Sequence, residues 1–256
     1  FKNIYEKYIN NIKDNFNVII TFSQGNIKKL DNYFNKYKFT ILKIEDKGLD
    51  LGGKFCFTNY VKNKKINYEY TLFLHSKKNP KRRLDYFNPF IKDKETIIKV
   101  LNIIKKENNV GGIFPKLTTT DFWPYMKLYV DQYLNYKGIN KIYNNKVVFI
   151  EGNVCILHKN ISEFLYDDLL IYNSFNYIDS FDYNWIRAMN KLKDCNLDYS
   201  YYLYKKSNKI GNWMTKKLRI PSESNIKDHD FMIEHIFERI YNYIILNKNM
   251  KRIILK

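Results

Sequence analysis

Apolar residues recur along this chain at two periods, and the switches between them predict an alternating order of helices and strands. In 1–16, Ile4, Tyr5, Tyr8, Ile9 and Ile12 form a helical stripe. The run 17–22 reads as a strand, 23–26 as a turn, and 27–37 returns to helical spacing through Leu30, Tyr33, Phe34 and Tyr37. A second strand spans 39–44. Farther on, 70–74 is a short apolar run rich in β-formers, which predicts a buried strand. Residues 55–61 and 91–106 read as helices, 113–115 as a short strand and 123–136 as a helix. The run 146–150 is another strand, and 154–158 either extends it or starts a hairpin with it. Short helices are expected over 162–170 and 183–193. The strongest signal comes last: Ile233, Ile236, Phe237, Ile240, Tyr241 and Ile244 make one face of an amphipathic helix over about 230–246.

Strand–helix–strand order at the start, continued by strands alternating with helices, predicts an α/β fold with a mainly parallel sheet flanked by helices. No repeat or low-complexity linker interrupts it, so 1–256 reads as a single domain. Opening on Phe1 rather than Met, it reads as a domain of a longer protein or a processed chain. No apolar run approaches the roughly 18 residues of a membrane span, and 1–15 is too polar for a signal peptide. A soluble, cytoplasmic protein is expected.

Composition changes this picture in one respect. A net charge of +18, from 44 basic and 26 acidic residues, raises nucleic acid or an anionic surface as a partner. The cations are overwhelmingly Lys, and Asn, Ile and Tyr are abundant too. An AT-rich genome, microbial or of a large DNA virus, gives that usage whatever the function. Arg, the residue suited to forked recognition of phosphates and bases, is scarce. Cys56, Cys155 and Cys195 have neither metal-type spacing nor an even count, which fits a reducing compartment.

Two segments carry candidate chemistry. The 70–74 strand ends in His75-Ser76-Lys77-Lys78. In open α/β sheets ligands bind beyond the carboxyl ends of strands, and an imidazole, a hydroxyl and two ammonium groups there suit a phosphate or diphosphate. The second segment, 47–54, places Gly48, Asp50, Gly52 and Gly53 after the 39–44 strand. Glycines admit close backbone approach, to a ligand or to the chain's own turn. Its spacing fits neither a Walker A loop nor a GxGxxG fingerprint.

Five segments together resemble the rhamnan synthesis protein F family of glycosyltransferases. Residues 45–52, Glu-Asp-Lys-Gly-Leu-Asp-Leu-Gly, resemble its "NkGxDiG", and 70–78 resemble "YdyilklHtKks". The 111–115 run resembles "lGivgP", and 151–156 stand in the place of "aGtmFw". The closing "DGtlaHaiERlf" is matched at Asp230, His235, Glu238 and Arg239, with Phe231 and Met232 departing from it. Order and spacing are kept over roughly 15–245.

The resemblance implies a GT-A-type, Rossmann-like fold, with a donor half at about 15–115 and an acceptor half at about 116–246. It implies transfer of a sugar, rhamnose or another hexose, from a UDP-, dTDP- or GDP-sugar to a glycan or glycoconjugate, with inversion. Gly48, Asp50, Gly52, His75, Ser76 and Lys77 would then bind the donor, and Gly152 and Asn153 would line the acceptor side. Asp230 would be the general base, and His235, on the helix face opposite the stripe, a second catalytic candidate. His75 and Lys77 can offset diphosphate charge without Mg²⁺ or Mn²⁺, so a metal is not the favoured expectation. Contact with a membrane carrying the acceptor would be peripheral. The rival readings are a basic nucleic-acid-binding domain and a catalytically degenerate GT-A scaffold.

Overall fold

The computed structural model describes residues 2–14, 16–23, 28, 32, 34, 37, 39–75, 79–121, 130–131, 133–139, 146–150, 153–174 and 233–255. Within them the chain runs α1 (Lys2–Ile12), β1 (Ile19–Phe22), β2 (Thr40–Lys43), α2 (Leu49–Asn63), β3 (Tyr70–Phe73), α3 (Pro80–Ile91) and α4 (Lys94–Lys106). Then follow β4 (Val110–Phe114), β5 (Thr118–Asp121), β6 (Lys146–Phe149), β7 (Cys155–His158), α5 (Lys159–Tyr166), α6 (Leu169–Ser174), α7 (Ile233–Asn247) and β8 (Lys251–Ile254). The fold is mixed α/β.

β1 and β2 pair in parallel. The principal sheet has the order β3-β7-β4-β8, and β5 pairs antiparallel with β6. In the principal sheet β7 runs antiparallel to both neighbours, whereas β4 and β8 are parallel. Three strands thus share a direction around one reversed strand, so the sheet is more mixed than the expected mainly parallel one. The expectation that 154–158 extends 146–150 or forms a hairpin with it is also corrected. β6 pairs with β5, while β7 inserts between β3 and β4. Its sequence suits that position, because both of its faces are apolar. Cys155 and Leu157 join one buried cluster, and Val154 and Ile156 join the other.

That alternation, the period of two of a strand, divides the core into two layers. On one face lie Leu51 and Phe55 of α2, Leu165 and Tyr166 of α5, and Phe237, Ile240, Tyr241 and Ile244 of α7. On the other lie Tyr8 of α1, Tyr86, Phe87, Phe90 and Ile91 of α3, and Ile97 and Val100 of α4. Gly111 and Gly112 of β4 serve this packing. A Cβ at Gly112 would stand 2.6 Å from the Phe114 ring and 2.9 Å from Ile245 Cδ1.

Several boundaries differ from the sequence pattern for local reasons. The helix expected over 91–106 is α4 alone, because Asp93 caps it by accepting from Thr96 N at 2.8 Å. The preceding α3 was not expected. It starts on an Asn79 cap with Pro80 in the first turn, where a missing N–H costs nothing. The 162–170 helix divides into α5 and α6, with Asp168 accepting from Ile171 N. β5 and β8, each four residues long, were not expected, although Thr118–Thr120 and Ile253–Ile254 are β-branched. α7 is found, with Phe237, Ile240, Tyr241 and Ile244 of the predicted stripe buried, and the 123–136 helix is seen at 130–131 and 133–136. The 27–37 helix is described at only four positions, and the 183–193 helix lies outside the described residues.

Candidate functional site

Register fixes which strand ends meet. Phe73, the last residue of β3, stands opposite Cys155, the first of β7, and Phe114 at the end of β4 stands beside Ile254 of β8. The carboxyl ends of β3, β4 and β8 therefore share one rim with the amino end of β7. His75 follows β3 onto this rim, Asn153 precedes β7, and the first turns of α2 reach it from one face.

α2 begins earlier than the apolar pattern implied. Gly48, in the left-handed region at φ 71°, is its N-cap, so all of the glycine segment from Leu49 onward is helical. The absent Cβ at Gly52 is used by the chain itself: a methyl there would lie 2.0 Å from the Lys47 carbonyl oxygen. At Gly53 it would lie 2.5 Å from Thr21 Oγ1 of β1. Both glycines let the helix seat against its own turn and strand.

Asp50, in the first turn of α2, faces His75. Asp50 Oδ2 is shielded from solvent and stands 3.8 Å from His75 Nε2. That distance is too long for a hydrogen bond but is within ion-pair range when the imidazole is protonated. The two side chains are 21% and 17% exposed, so the pair sits at the mouth of the rim.

One turn deeper, Lys54 occupies a position on the buried face of α2 and is only 4% exposed. Its Nζ donates to the Asn153 carbonyl at 2.6 Å and to the Tyr241 hydroxyl at 3.1 Å. Tyr241 in turn donates to Asn153 Oδ1 at 3.2 Å. With its one proton so used, Tyr241 accepts from the neighbouring Tyr166 hydroxyl. The Phe73 ring centroid lies 5.2 Å from the ammonium, and the Tyr166 and Tyr241 centroids 5.6 Å. Asn153 is held in the left-handed region, at φ 54°, a conformation asparagine tolerates better than most residues.

Burial sets the protonation of the surrounding acids. It pushes the Cys155 thiol up to about 11, with Lys54 opposing in part. It also drives the Tyr166 and Tyr241 phenols well above their ordinary range. At neutral pH these groups serve as fixed neutral dipoles around the lysine.

Of the sequence-predicted site residues, the structure places Gly48, Asp50, His75 and Asn153 on this rim. Gly52 lies in the helix turn behind it. His235 lies in α7, whose carbonyl at Glu238 accepts from Ile150 N at 3.0 Å. The motif residue Arg239 is buried, its Nη1 3.7 Å from Glu238 Oε2. Ser76, Lys77, Gly152 and Asp230 lie outside the described residues. His158 is the N-cap of α5, its Nδ1 accepting from Asn160 N.

Lys54, Tyr166 and Tyr241 were missed from the sequence. The phenols are disguised by their apolar stripes. Lys54 left a signal, a cation between Leu51 and Phe55 on the stripe continued by Thr58 and Val61.

Among the described residues no group of three or more His, Cys, Asp or Glu could hold a metal ion. A cleft of about 1130 Å³ lies elsewhere, along α4 and β8, and none of the predicted site residues lines it. No helix among the described residues is long and apolar enough to cross a membrane. No protein-family model, curated protein or solved structure matches the chain.

Proposed function

We propose that this chain is a nucleotide-sugar-dependent glycosyltransferase of GT-A-type fold, acting on a glycan or glycoconjugate acceptor. One observation carries the reading. Two segments that resemble the rhamnan synthesis protein F family, 151–156 and the closing 230–241, meet at one rim of the sheet through the bond from Tyr241 to Asn153, 88 residues apart, and Lys54, two residues beyond the 45–52 segment, bonds to both. Asp50 and His75, each from a motif, face one another at its mouth. A mixed α/β sheet with candidate groups beyond its strand ends is where such a fold would hold a nucleotide.

In this reading His75 and Lys77 bear on the donor diphosphate and offset the charge that grows as the glycosidic bond to it breaks. Ser76 adds a hydroxyl donor, and Asp50 accepts from the nucleoside. Asn153 contributes its turn rather than its side-chain oxygen, which already accepts from Tyr241, and Gly152 gives close approach for the acceptor. Asp230 removes the acceptor proton for in-line attack, and His235 of α7 is the second catalytic candidate. The transferred sugar is rhamnose or another hexose.

The test is a thermal-shift screen with UDP-, dTDP- and GDP-sugars in EDTA, then with Mg²⁺ or Mn²⁺. A ligand that binds the folded state raises the melting temperature by mass action. The reading expects one nucleotide to stabilise in EDTA, and transfer of that sugar to a glycan acceptor. Stabilisation only with metal keeps the transferase and removes the cationic clamp. Nucleotide binding without turnover points to a scaffold. Stabilisation by oligonucleotides alone points to the net charge of +18 as the functional feature.

A further inference from the structure

β8 closes one side of the principal sheet, bonded to β4 on one edge and to no described strand on the other. Lys251 N donates to Asn109 O and Leu255 N to Phe114 O, so the backbone groups of Arg252 and Ile254, between them, face outward. Alongside runs the 1130 Å³ cleft, walled by one face of α4 from Glu95 to Glu107 and by residues 251–254. Its apolar surface includes Ile98, Leu246 and Ile254, which are 57%, 49% and 45% exposed. Its charged lining is Lys99, Lys106, Lys251 and Arg252 against Glu95 and Glu107. Glu107 is already engaged by Lys251 at 2.9 Å.

We propose that this groove is a docking site for an extended acidic peptide of a partner protein, which adds a strand along the outer edge of β8, where no described strand pairs. An edge strand beside a helix supplies the two components of such recognition, backbone bonds for affinity and a side-chain groove for selectivity. Four cations against two carboxylates choose an acidic occupant. They disfavour a second copy of this chain, which would bring the same cationic groove and a net charge of +18 to the contact. α4, at 13 residues, offers about 20 Å of wall, enough for roughly six extended residues. Successive side chains of the added strand face opposite sides of the sheet: acidic ones reach Lys99 and Lys106 on the α4 side, and aliphatic ones rest on Leu246 and Ile254 on the α7 side, where Arg252 donates to Asn242. This inference is independent of the glycosyltransferase reading.

The probe is a fluorescein-labelled alternating Val-Glu decapeptide, with two controls: its Val-Lys counterpart and a Val-Glu peptide N-methylated at alternate amides. Anisotropy is expected to show saturable binding of the first only. The double variant K99E/K106E should weaken it at least tenfold, and hydrogen exchange should show Arg252 and Ile254 amides newly protected. Ile254→Pro, which removes an outward N–H, should also abolish binding, with circular dichroism confirming its fold. Equal binding of the N-methylated peptide would reduce the effect to bulk charge and overturn the proposal. So would protection elsewhere on the protein, or a concentration-dependent dimer that Ile254→Pro dissociates.

Discussion

Lys54 Nζ donates to the carbonyl of Asn153 at 2.6 Å, joining residues 99 apart in sequence across the rim of the sheet. The ammonium is buried among Phe73, Tyr166 and Tyr241, and the acceptor belongs to a residue in the left-handed region. This bond ties the first turns of α2 to the entry of β7. It is the internal frame on which the more exposed Asp50 and His75 are mounted.

Lys54→Met keeps the length of the side chain and removes the donor. The Asn153 carbonyl keeps only the weak, 3.9 Å contact from the Cys155 thiol, and a buried acceptor so under-satisfied costs about 1–3 kcal/mol. Urea denaturation with an unchanged m-value should show that loss. A variant as stable as the parent would mean that the desolvated ammonium costs as much as its bonds contribute.

The glycines of α2 should rank by what they face. Gly52→Ala drives a methyl to 2.0 Å from a backbone carbonyl, which can yield only by moving the helix start. Gly53→Ala meets the side-chain hydroxyl of Thr21 at 2.5 Å, which rotates away more cheaply. Overpacking typically costs about 1–3 kcal/mol, and Gly52→Ala should lie at or above the top of that range. Thermal melts of the two variants check the order, and the reverse order would contradict the Lys47 contact.

Alkaline pH should destabilise the fold through Cys155. Its thiol titrates near 9.0 when unperturbed and is pushed up to about 11 by burial. Between those values the folded state holds a proton that the unfolded state has released. Stability therefore falls as pH rises, by up to roughly 1.4 kcal/mol per pH unit from this group. Tyr166 and Tyr241, raised in the same direction, extend the loss above pH 10. Urea midpoints for the parent and Cys155→Ala at pH 8, 9 and 10 decide it. A parallel pH dependence for both would remove Cys155 as the cause.

Asp50→Asn and His75→Ala should act on ligand rather than on fold. Both side chains lie at the rim's mouth, and their 3.8 Å contact is not a short bond whose loss would unfold the domain. Calorimetric titration with the stabilising nucleotide is expected to show at least tenfold weaker binding for each, with melting temperatures nearly unchanged. Undiminished affinity in both variants would separate this rim from the donor site. Lys77→Ala carries the same expectation for the diphosphate.

The sequence by itself determined the α/β class, the strands β1, β2, β3 and β6, and α7, because in each a run of apolar residues at one period outweighs every local alternative. It also marked Asp50 and His75, since a polar cluster directly after an apolar strand is visible without coordinates. Helix starts were less legible. Asp93 and Asn79 mark them only through local side-chain bonds to the third residue on, and Gly48 through a backbone angle. The reversal of β7, the edge position of β8 and the partners of Lys54 were decided by tertiary structure alone. Pairing direction depends on which distant strand supplies the neighbouring backbone, and nothing in Cys155–His158 encodes that choice locally. Likewise Tyr166 and Tyr241 occupy apolar stripes that any aromatic residue could fill. Only when α5, α7 and β7 close around Lys54 do their hydroxyls become the partners that allow a lysine to be buried there.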